Sequence, residues 1–324
     1  MSKRLTRGVF LDIATVDSGD LDRGRLDASL DHWDWYDNTD PQQIVERVTP
    51  ANAVLANKSR IDRTIIEACP GLKLIALSAT GTDNVDLEAA SEHGVAVCNI
   101  RDYCTESVAQ HVITLMLSLL TGLPWYWQDV RRGEWSKAQQ FCMKDRQIRE
   151  ARGLTFGVVG FGTLGRRSAE LAGALGMEVL NAERRGSTPR EGRRPFEEVI
   201  ARADVLSVHC PLTDETRGLI NRAVLSAMKK DALLINTARG AVIEAEDLAD
   251  ALRAGEIAGA GIDTLSVEPP PPDHPLLAGD IPNLIVTPHN AWASRKARQA
   301  ALNHLARVVE AFQAGKPINV VNSA

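Results

Sequence analysis

Three side chains suited to acid–base and anion-binding chemistry stand just beyond aliphatic runs: Arg239, Glu268 and His289. The runs that precede them are, in chain order, Ala232–Asn236, Ala258–Asp263 and Leu284–Thr287. If these runs are parallel strands, the side chains meet at the edge where doubly wound sheets bind ligands. The planar fork of arginine binds carboxylates, and histidine exchanges protons near neutral pH. A glutamate beside that histidine would orient its ring, so the set predicts a catalytic site for a carboxylate substrate.

A glycine-rich turn indicates what else such a site would bind. Gly160, Gly162 and Gly165 form a GxGxxG that follows the strand-like TFGVVG and opens a helix-like segment. In this context the first glycine permits a tight turn, the second lets a pyrophosphate approach the backbone, and the third permits close helix–strand packing. The pattern predicts a dinucleotide-binding turn, with the phosphates at a helix N-terminus.

Glu183 and the two arginines after it bear on which dinucleotide is bound. Glu183 lies 23 positions beyond Gly160, near the spacing expected for a carboxylate that bonds the adenosine ribose. Such a carboxylate favours NAD because it repels a 2′-phosphate. Arg184 and Arg185 act in the opposite sense, since an arginine here can hold that phosphate. The residues therefore favour NAD and leave NADP open.

The rest of the chain reads as the scaffold for these residues. At 324 residues, 44% hydrophobic and 24% charged, it has the length of about two globular domains. Short aliphatic runs alternate with amphipathic segments, first over residues 8–98 and again from Leu154 onward. This alternation predicts an α/β protein with parallel sheets. Thr105–Leu120 is predicted to be a buried helix, and Trp292–Gly315 an amphipathic one.

Composition and motif content exclude several classes of function. The net charge of −5, with both signs interspersed, predicts no nucleic-acid partner. The chain contains no run of about 18 apolar residues, so no membrane span is predicted. The N-terminus lacks a signal-peptide core. The five cysteines are scattered without a CxxC pair, and the histidines lack metal-ligand spacing. We therefore expect a cytoplasmic protein without a metal.

An aromatic-rich stretch, Leu123–Phe141, has two interpretations. It contains Trp125, Trp127 and Trp135 in a chain with only 5% aromatic residues. The aromatics could pack onto their own domain, or they could form an exposed arm that docks on a second subunit, as aromatic enrichment at interfaces suggests.

With these motifs assembled, the chain resembles the D-isomer-specific 2-hydroxyacid dehydrogenases over nearly its whole length. The matching segments are VVGFGTLG at 158–165, HCPLTDET at 209–216, LLINTARGAVIEAEDLADAL at 233–252, GAGIDTLSVEPP at 259–270 and VTPHNAW at 286–292. Within that family, the segments at 57–58, 80–86, 107–112, 133–135 and 288–299 most resemble the glycerate dehydrogenase/hydroxypyruvate reductase branch.

The resemblance assigns roles by motif. It implies that Arg239 binds the substrate carboxylate and polarises the carbonyl, that His289 is the general acid/base, and that Glu268 is its partner. Besides the three glycines, the positions it implies for the cofactor are Thr163, Leu164, Glu183, Cys210, Pro211, Thr216, Thr237, Ala238 and Asp263, the last at the nicotinamide carboxamide. It also implies that Thr80 and Gly81 hold the substrate carboxylate through backbone N–H groups.

The resemblance further implies an architecture. A Rossmann NAD-binding domain, residues 103–291, would be inserted into a flavodoxin-like substrate domain made of residues 1–102 and 292–324. It implies a homodimer built through the cofactor domains, which favours the docking-arm interpretation of the aromatic stretch.

The predicted activity is hydride transfer between NAD(H) and a small 2-oxo or D-2-hydroxy acid, with hydroxypyruvate or glyoxylate as the expected substrate. Three alternatives stay open: a phosphoglycerate-type enzyme, another D-2-hydroxyacid dehydrogenase, and a dinucleotide-sensing regulator similar to the corepressors that resemble this family.

Overall fold

Eleven strands, all paired in parallel, form two separate sheets in the computed structural model, which describes residues 5–322. The chain divides into two units. The first contains the described residues through Cys104 together with those from Ala293 onward, and the second is Thr105–Trp292. The predicted α/β class with two parallel sheets is confirmed.

The sheet of the first unit has the strand order β2-β1-β3-β4-β5. Its strands are β1 (Arg7–Phe10), β2 (His32–Trp35), β3 (Ala53–Ala56), β4 (Leu74–Leu77) and β5 (Ala96–Cys98). This order is the flavodoxin-like one. The strands β3 and β4 are fully buried, which explains their continuous aliphatic sequences.

Five helices accompany this sheet. They are α1 (Gly24–Asp27), α2 (Ile44–Val48), α3 (Arg63–Ala68), α4 (Leu87–Glu92) and, near the C-terminus, α12 (Arg295–Gln313). Polar N-caps begin three of them: the side chains of Asp62, Asp86 and Ser294 each accept a hydrogen bond from the N–H three residues on. The helix α12 confirms the predicted amphipathic segment and buries its apolar stripe in the core of this unit.

The sheet of the second unit has the order β11-β10-β9-β8-β6-β7. Its strands are β6 (Thr155–Val159), β7 (Glu178–Ala182), β8 (Val205–Val208), β9 (Leu233–Asn236), β10 (Gly259–Ile262) and β11 (Leu284–Val286). A single parallel bridge joins Ala182 to Arg194 and adds a rudimentary further strand beside β7. With that bridge, the order around β6 and β7 matches the Rossmann arrangement.

Seven helices belong to the second unit. They are α5 (Thr105–Thr121), α6 (Leu123–Arg131), α7 (Glu134–Lys137), α8 (Thr163–Ala174), α9 (Phe196–Arg202), α10 (Arg222–Ala227) and α11 (Ala245–Ala254). The prediction of a buried helix from Thr105 is confirmed, because seven apolar side chains of α5 are buried and five of them join the core with β6, β8 and β9. Within residues 5–322, no single helix is both long and apolar enough to cross a membrane; α5 and α6 pass that test only as a pair bent by 61°.

One strand of the first sheet escaped the sequence prediction. The strand β2 has the sequence HWDW, in which His32 is exposed and Asp34 bonds the Arg7 side chain. Only Trp33 and Trp35 pack against the core. An edge strand that alternates polar and aromatic residues lacks the aliphatic run by which the other strands were recognised.

The aromatic side chains of Leu123–Phe141 fall into two groups, one packed on their own unit and one exposed. Trp125 packs against the core of its own unit. Trp127, Trp135 and Phe141 are 57%, 52% and 89% exposed, respectively. The stretch therefore both attaches to its unit and presents an apolar surface to solvent.

Candidate active site

The loop after β11 holds His289 in a constrained backbone conformation. His289 has φ +52, which a residue with a side chain rarely adopts. Its N–H donates to the carbonyl oxygens of Asp263 (2.8 Å) and Thr287 (2.9 Å). The Asp263 carboxylate, just beyond β10, accepts from the N–H groups of Asn290 (3.0 Å) and Ala291 (3.1 Å). One buried aspartate thus fixes the backbone on both sides of the histidine.

The His289 ring is oriented by a carboxylate. Its Nδ1 lies 2.5 Å from Oε2 of Glu268. The other oxygen, Oε1, accepts from the N–H of Leu265 (2.9 Å), which fixes the glutamate in turn. The two side chains are 25% and 30% exposed, so solutes can reach them. Within residues 5–322 the second ring nitrogen, Nε2, has no hydrogen-bond partner, and it is the atom left for proton exchange with a ligand.

Arg239 stands on a turn that Asn236 shapes. Asn236, the fully buried last residue of β9, accepts from Ala238 N–H (3.0 Å) and donates to the Arg239 carbonyl oxygen (3.0 Å). Arg239 Nη1 donates to the Ala238 carbonyl oxygen (2.8 Å). The structure places Arg239, Glu268 and His289 on the loops that follow β9, β10 and β11, three adjacent strands of one sheet.

A buried polar chain lies beneath the His289 loop. Thr287 Oγ1 donates to Asp263 Oδ1 (2.6 Å), and His111 Nε2 from α5 lies 3.0 Å from that same hydroxyl. Because the hydroxyl proton goes to the carboxylate, His111 Nε2 must be the donor to the hydroxyl oxygen. Burial lowers the pKa of His111, while the nearby Asp263 carboxylate, 3.6 Å away, acts to raise it.

Sequence reasoning missed the supporting roles of Asn236, Thr287 and His111. Each is a polar residue at the end of an aliphatic strand or within an apolar helix. Because buried polar side chains need hydrogen-bond partners, a polar residue in such an apolar setting indicates a supporting hydrogen bond. The identity of the partners was not in the sequence, because His111 and Thr287 are 176 positions apart.

The glycine turn fits a dinucleotide. At Gly160 (φ +96), a Cβ would lie 2.5 Å from Cys210 N, and at Gly165 it would collide with the carbonyl oxygen of Gly160. Gly160 thus lets the turn pack against the backbone that follows β8, and Gly165 lets α8 approach the start of the turn. A Cβ at Gly162 would meet nothing within 4 Å, and this residue caps α8 without a side-chain hydrogen bond. The first turn of α8 is therefore open to an anion.

The turn borders a cavity of about 750 Å³. Six of the residues predicted to bind the cofactor line it: Gly160, Gly162, Glu183, Cys210, Pro211 and Thr216. Thr163, Leu164 and Gly165 form the adjoining first turn of α8. Burial raises the pKa of the Cys210 thiol to about 11, so that side chain is a neutral part of the wall. Thr216 Oγ1 donates to the Pro211 carbonyl (2.6 Å) and accepts from Thr213 N–H (2.7 Å), which shapes this wall.

Three other predicted cofactor positions do not line that cavity. The Asp263 carboxylate is occupied by Thr287, Asn290 and Ala291. Thr237 Oγ1 is buried with no hydrogen-bond partner in the described part of the chain, and Ala238 packs on the core. Thr237 and Ala238 lie in the loop that follows β9, and Asp263 directly follows β10.

Glu183 is engaged differently from the prediction. Its carboxylate, 2% exposed, accepts from Arg190 Nε (2.7 Å) and Nη2 (2.6 Å), and from the N–H groups of Arg184 (2.9 Å) and Arg190 (3.2 Å). Arg193 Nη1 lies 3.5 Å away. The Arg190 guanidinium, helped by the backbone donors, holds the pKa of Glu183 far below its usual range. The expected ribose acceptor is already saturated with donors from its own chain.

Thr80 and Gly81 lie in the other unit, in the loop after β4. Thr80 Oγ1 donates to the Ile100 carbonyl (3.0 Å), and the Thr80 carbonyl accepts from Asn99 Nδ2 (2.7 Å). Within residues 5–322 the backbone N–H groups of Thr80 and Gly81 donate to no protein acceptor. They are therefore available to an anion such as a carboxylate.

Comparison with known proteins adds the family. A model described as the D-isomer specific 2-hydroxyacid dehydrogenase, NAD binding domain, matches residues 113–291. A glycerate dehydrogenase of Methylorubrum extorquens is 43% identical over 94% of this chain and 98% of its own length. A hydroxypyruvate reductase of Blautia hydrogenotrophica is 36% identical over 97% and 99%. Among solved structures, the NADPH-dependent glyoxylate/hydroxypyruvate reductase of Sinorhizobium meliloti, in complex with NADP and malonate, superimposes with a TM-score of 0.81 and 28% identity over 98% of this chain and 96% of that one.

Proposed function

The chain belongs to the D-isomer specific 2-hydroxyacid dehydrogenases, and on that premise we propose that it reduces a small 2-oxo acid, hydroxypyruvate or glyoxylate, to the D-2-hydroxy acid. The names of the relatives from Methylorubrum and Blautia support this substrate class. The observation that carries the proposal is the pair of His289 and Glu268, set at the strand-end edge that also bears Arg239.

The proposed chemistry divides between three side chains. Arg239 binds the carboxylate of the acid and stabilises the charge that develops on its carbonyl oxygen. His289 delivers a proton to that oxygen from Nε2, because Nδ1 is held by Glu268. In the reverse direction His289 removes the hydroxyl proton. Bound NAD(H) supplies or takes up the hydride at C2 of the acid.

The two units take different tasks in this proposal. Thr105–Trp292 is the cofactor domain, since it contains the glycine turn and the 750 Å³ cavity. The other unit is the substrate domain, and the N–H groups of Thr80 and Gly81 hold the substrate carboxylate. Asp263 positions the His289 loop by accepting hydrogen bonds from the N–H groups of Asn290 and Ala291.

We also propose that the protein is a homodimer. The exposed rings of Trp127, Trp135 and Phe141 supply the apolar surface that a subunit contact would cover. All five cysteines are free thiols, which suits the reducing cytoplasm. The net charge of −5, with both signs interspersed along the chain, supports neither nucleic acid nor membrane as a partner.

The test is kcat/KM for hydroxypyruvate, glyoxylate, pyruvate and longer 2-oxo acids, with NADH and NADPH in turn. We expect the highest values for hydroxypyruvate or glyoxylate. Arg239→Lys should lower kcat/KM by about 100-fold or more, because a lysine cannot reproduce the bidentate fork. A chain that oxidises neither cofactor with any of these acids would contradict the proposed enzyme and favour a dinucleotide-sensing role.

A further inference from the structure

The loop of Thr80 and Gly81 is bonded to the chain segment beside it. This loop follows β4, and the neighbouring segment, made of Asn99 and Ile100, directly follows β5. The Ile100 N–H donates to the Ala79 carbonyl oxygen (3.2 Å). Asn99 Nδ2 donates to the Thr80 carbonyl oxygen (2.7 Å). Two successive peptide groups of the loop are therefore bonded to one segment.

These bonds fix the direction in which the loop presents its N–H groups. The Ala79 carbonyl shares a peptide group with the Thr80 N–H, and the Thr80 carbonyl shares the next one with the Gly81 N–H. Both peptide groups are trans, so each N–H points to the side opposite its C=O. The N–H groups of Thr80 and Gly81 therefore point away from the segment after β5. Thr80 is exposed and Gly81 is partly buried, so a small anion can reach them.

The side chain of Asn99 is held in the orientation that donates to the loop. Asn99 is 4% exposed, and its Oδ1 accepts from Arg101 Nε (3.3 Å). Because a guanidinium only donates, the carbonyl end of the Asn99 amide faces Arg101 and the NH₂ end faces Thr80. The Thr80 hydroxyl donates to the Ile100 carbonyl oxygen (3.0 Å) and forms another link between loop and segment.

A residue that follows α12 holds the backbone of Asn99. The Asn99 N–H donates to the Asn319 carbonyl oxygen (3.2 Å), and Asn319 Nδ2 donates to the Asn99 carbonyl oxygen (3.1 Å). Asn319 has φ +54, a conformation that asparagine adopts more readily than most residues with a side chain. The reciprocal pair fixes Asn99 on the main chain as Arg101 fixes it at the amide.

We infer that Asn99 is a positioning residue for the substrate carboxylate, and that it acts by fixing the direction of the Gly81 N–H. Asn319 supports it by holding its backbone. The inference deepens the proposed function and rests on it. Asn99 acts through the Thr80–Gly81 peptide group and not by touching the substrate. The group it serves is the carboxylate that all 2-oxo acids share, so its loss should weaken these acids alike.

Binding of oxamate measures this role without turnover, because oxamate carries the carboxylate of a 2-oxo acid but an amide in place of the reducible carbonyl. In calorimetric titrations with NADH present, Asn99→Ala should bind oxamate about tenfold or more weakly, since a hydrogen bond to a charged group contributes roughly this much. The dissociation constant of NADH should stay within about twofold of the wild type. Unchanged oxamate affinity would overturn the inference.

Steady-state kinetics separates positioning from general damage to the protein. In Asn99→Ala, KM should rise about tenfold for hydroxypyruvate and for glyoxylate, because both carry the carboxylate, while kcat stays within about threefold. A loss of folded protein would instead lower kcat and leave KM unchanged. That result would contradict the inference.

Asn322→Ala is the matched control. Asn322 Oδ1 accepts from the Val97 N–H (2.8 Å) and its Nδ2 donates to the Val95 carbonyl oxygen (2.9 Å), so this asparagine holds β5 without bonding the loop. The variant should keep the wild-type oxamate affinity and KM. An equal loss in Asn322→Ala would assign the effect to β5 as a whole and contradict the role of Asn99.

Asn319→Gly is a milder variant that decides the matter if Asn99→Ala does not fold. Glycine adopts φ +54 without strain and keeps the backbone bond, but it removes the side-chain donor to Asn99. Oxamate affinity should fall about threefold while NADH affinity is kept. An unchanged oxamate affinity in a folded Asn319→Gly would count against the inference.

The wild-type protein separates the two levels of the proposal. If it binds NADH and oxamate and the variants bind both equally well, only the role of Asn99 fails. If it binds NADH but neither binds oxamate nor reduces any 2-oxo acid, the proposed function fails and the role of Asn99 with it.

Discussion

The two sheets reverse their strand order at equivalent places, between β1 and β3 in one unit and between β6 and β8 in the other. In the first unit an internal anion occupies the backbone donors at this crevice. Asp12, just after β1, accepts from the N–H groups of Asn57 (2.8 Å), Lys58 (2.7 Å) and Ser59 (2.7 Å), which follow β3. In the second unit the turn after β6 is made of glycines and places no side chain at Gly162.

This difference shows where function resides in two similar sheets. Both topologies create a crevice beyond the carboxyl ends of their strands. An aspartate in one unit consumes the backbone donors that a phosphate would need, whereas glycines in the other leave them open. The fold supplies the crevice, and a few residues decide whether its backbone donors are open to a ligand.

The strongest test of this difference introduces an aspartate into the glycine turn of the second unit. Gly162→Asp adds a side chain where there is space, at the N-cap of α8, so stability should be unchanged or slightly raised. The carboxylate should occupy the helix N–H groups and repel the pyrophosphate, weakening NADH binding by about 100-fold or more. Fluorescence titration and urea unfolding measure the two effects.

Gly162→Asn is the matched control for that variant. It caps the helix without a charge, and its loss of affinity should be clearly smaller. If Gly162→Asp bound NADH as tightly as the wild type, the open helix terminus would not be the phosphate site.

The reciprocal change removes the aspartate that occupies the backbone donors of the first unit. Asp12→Ala removes a buried acceptor of three backbone N–H groups and of the Ser59 hydroxyl. We expect the free energy of unfolding to fall by about 2–3 kcal/mol, because those donors lose their partner. Urea unfolding checks this, and Asp12→Asn, which keeps one acceptor oxygen, should lose less. NADH affinity at 25 °C should be unchanged, and a selective loss of NADH affinity would contradict the structural role of Asp12.

Acid should lower the free energy of unfolding through His209, a histidine beside the glycine turn of the second unit. Burial lowers the pKa of His209 to about 4. The unfolded chain binds a proton near pH 6.5 that the folded chain does not, so stability falls as the pH drops from about 6.5 towards 4. Between pH 7 and pH 5, His209 should account for a loss of roughly 2 kcal/mol in the free energy of unfolding.

Since burial also lowers the pKa of His111, His274 and His304, the measurement is the difference between the wild type and His209→Gln in urea unfolding at the two pH values. The variant should lose less stability on acidification. Identical losses would show that His209 does not titrate as described.

The smallest expected effect concerns the support of the catalytic loop. Thr287→Val removes the hydroxyl that links His111 to Asp263. Because the His289 loop is then less well positioned, kcat should fall roughly tenfold while the affinity for NADH is kept. Thr287→Ser should restore most of the rate. An equal loss in Thr287→Ser would point to packing of the methyl group instead of the hydroxyl.

The strands and the strand-end trio were largely predictable from the sequence. Buried parallel strands require aliphatic runs, and polar residues placed just after such runs converge by topology alone. The edge strand β2 was missed because HWDW has no aliphatic run. The predicted role of Glu183 took no account of Arg190, because the two residues are joined by an irregular loop whose path the sequence does not specify.

The central claim is that His289 moves the proton at a site where the cofactor binds independently of it. Steady-state reduction of hydroxypyruvate by His289→Ala, with NADH affinity measured on the same preparation, tests this most directly. We predict that kcat/KM falls by about 10²- to 10⁴-fold while the dissociation constant of NADH stays within about twofold of the wild type. Near-normal turnover in this variant would contradict the account.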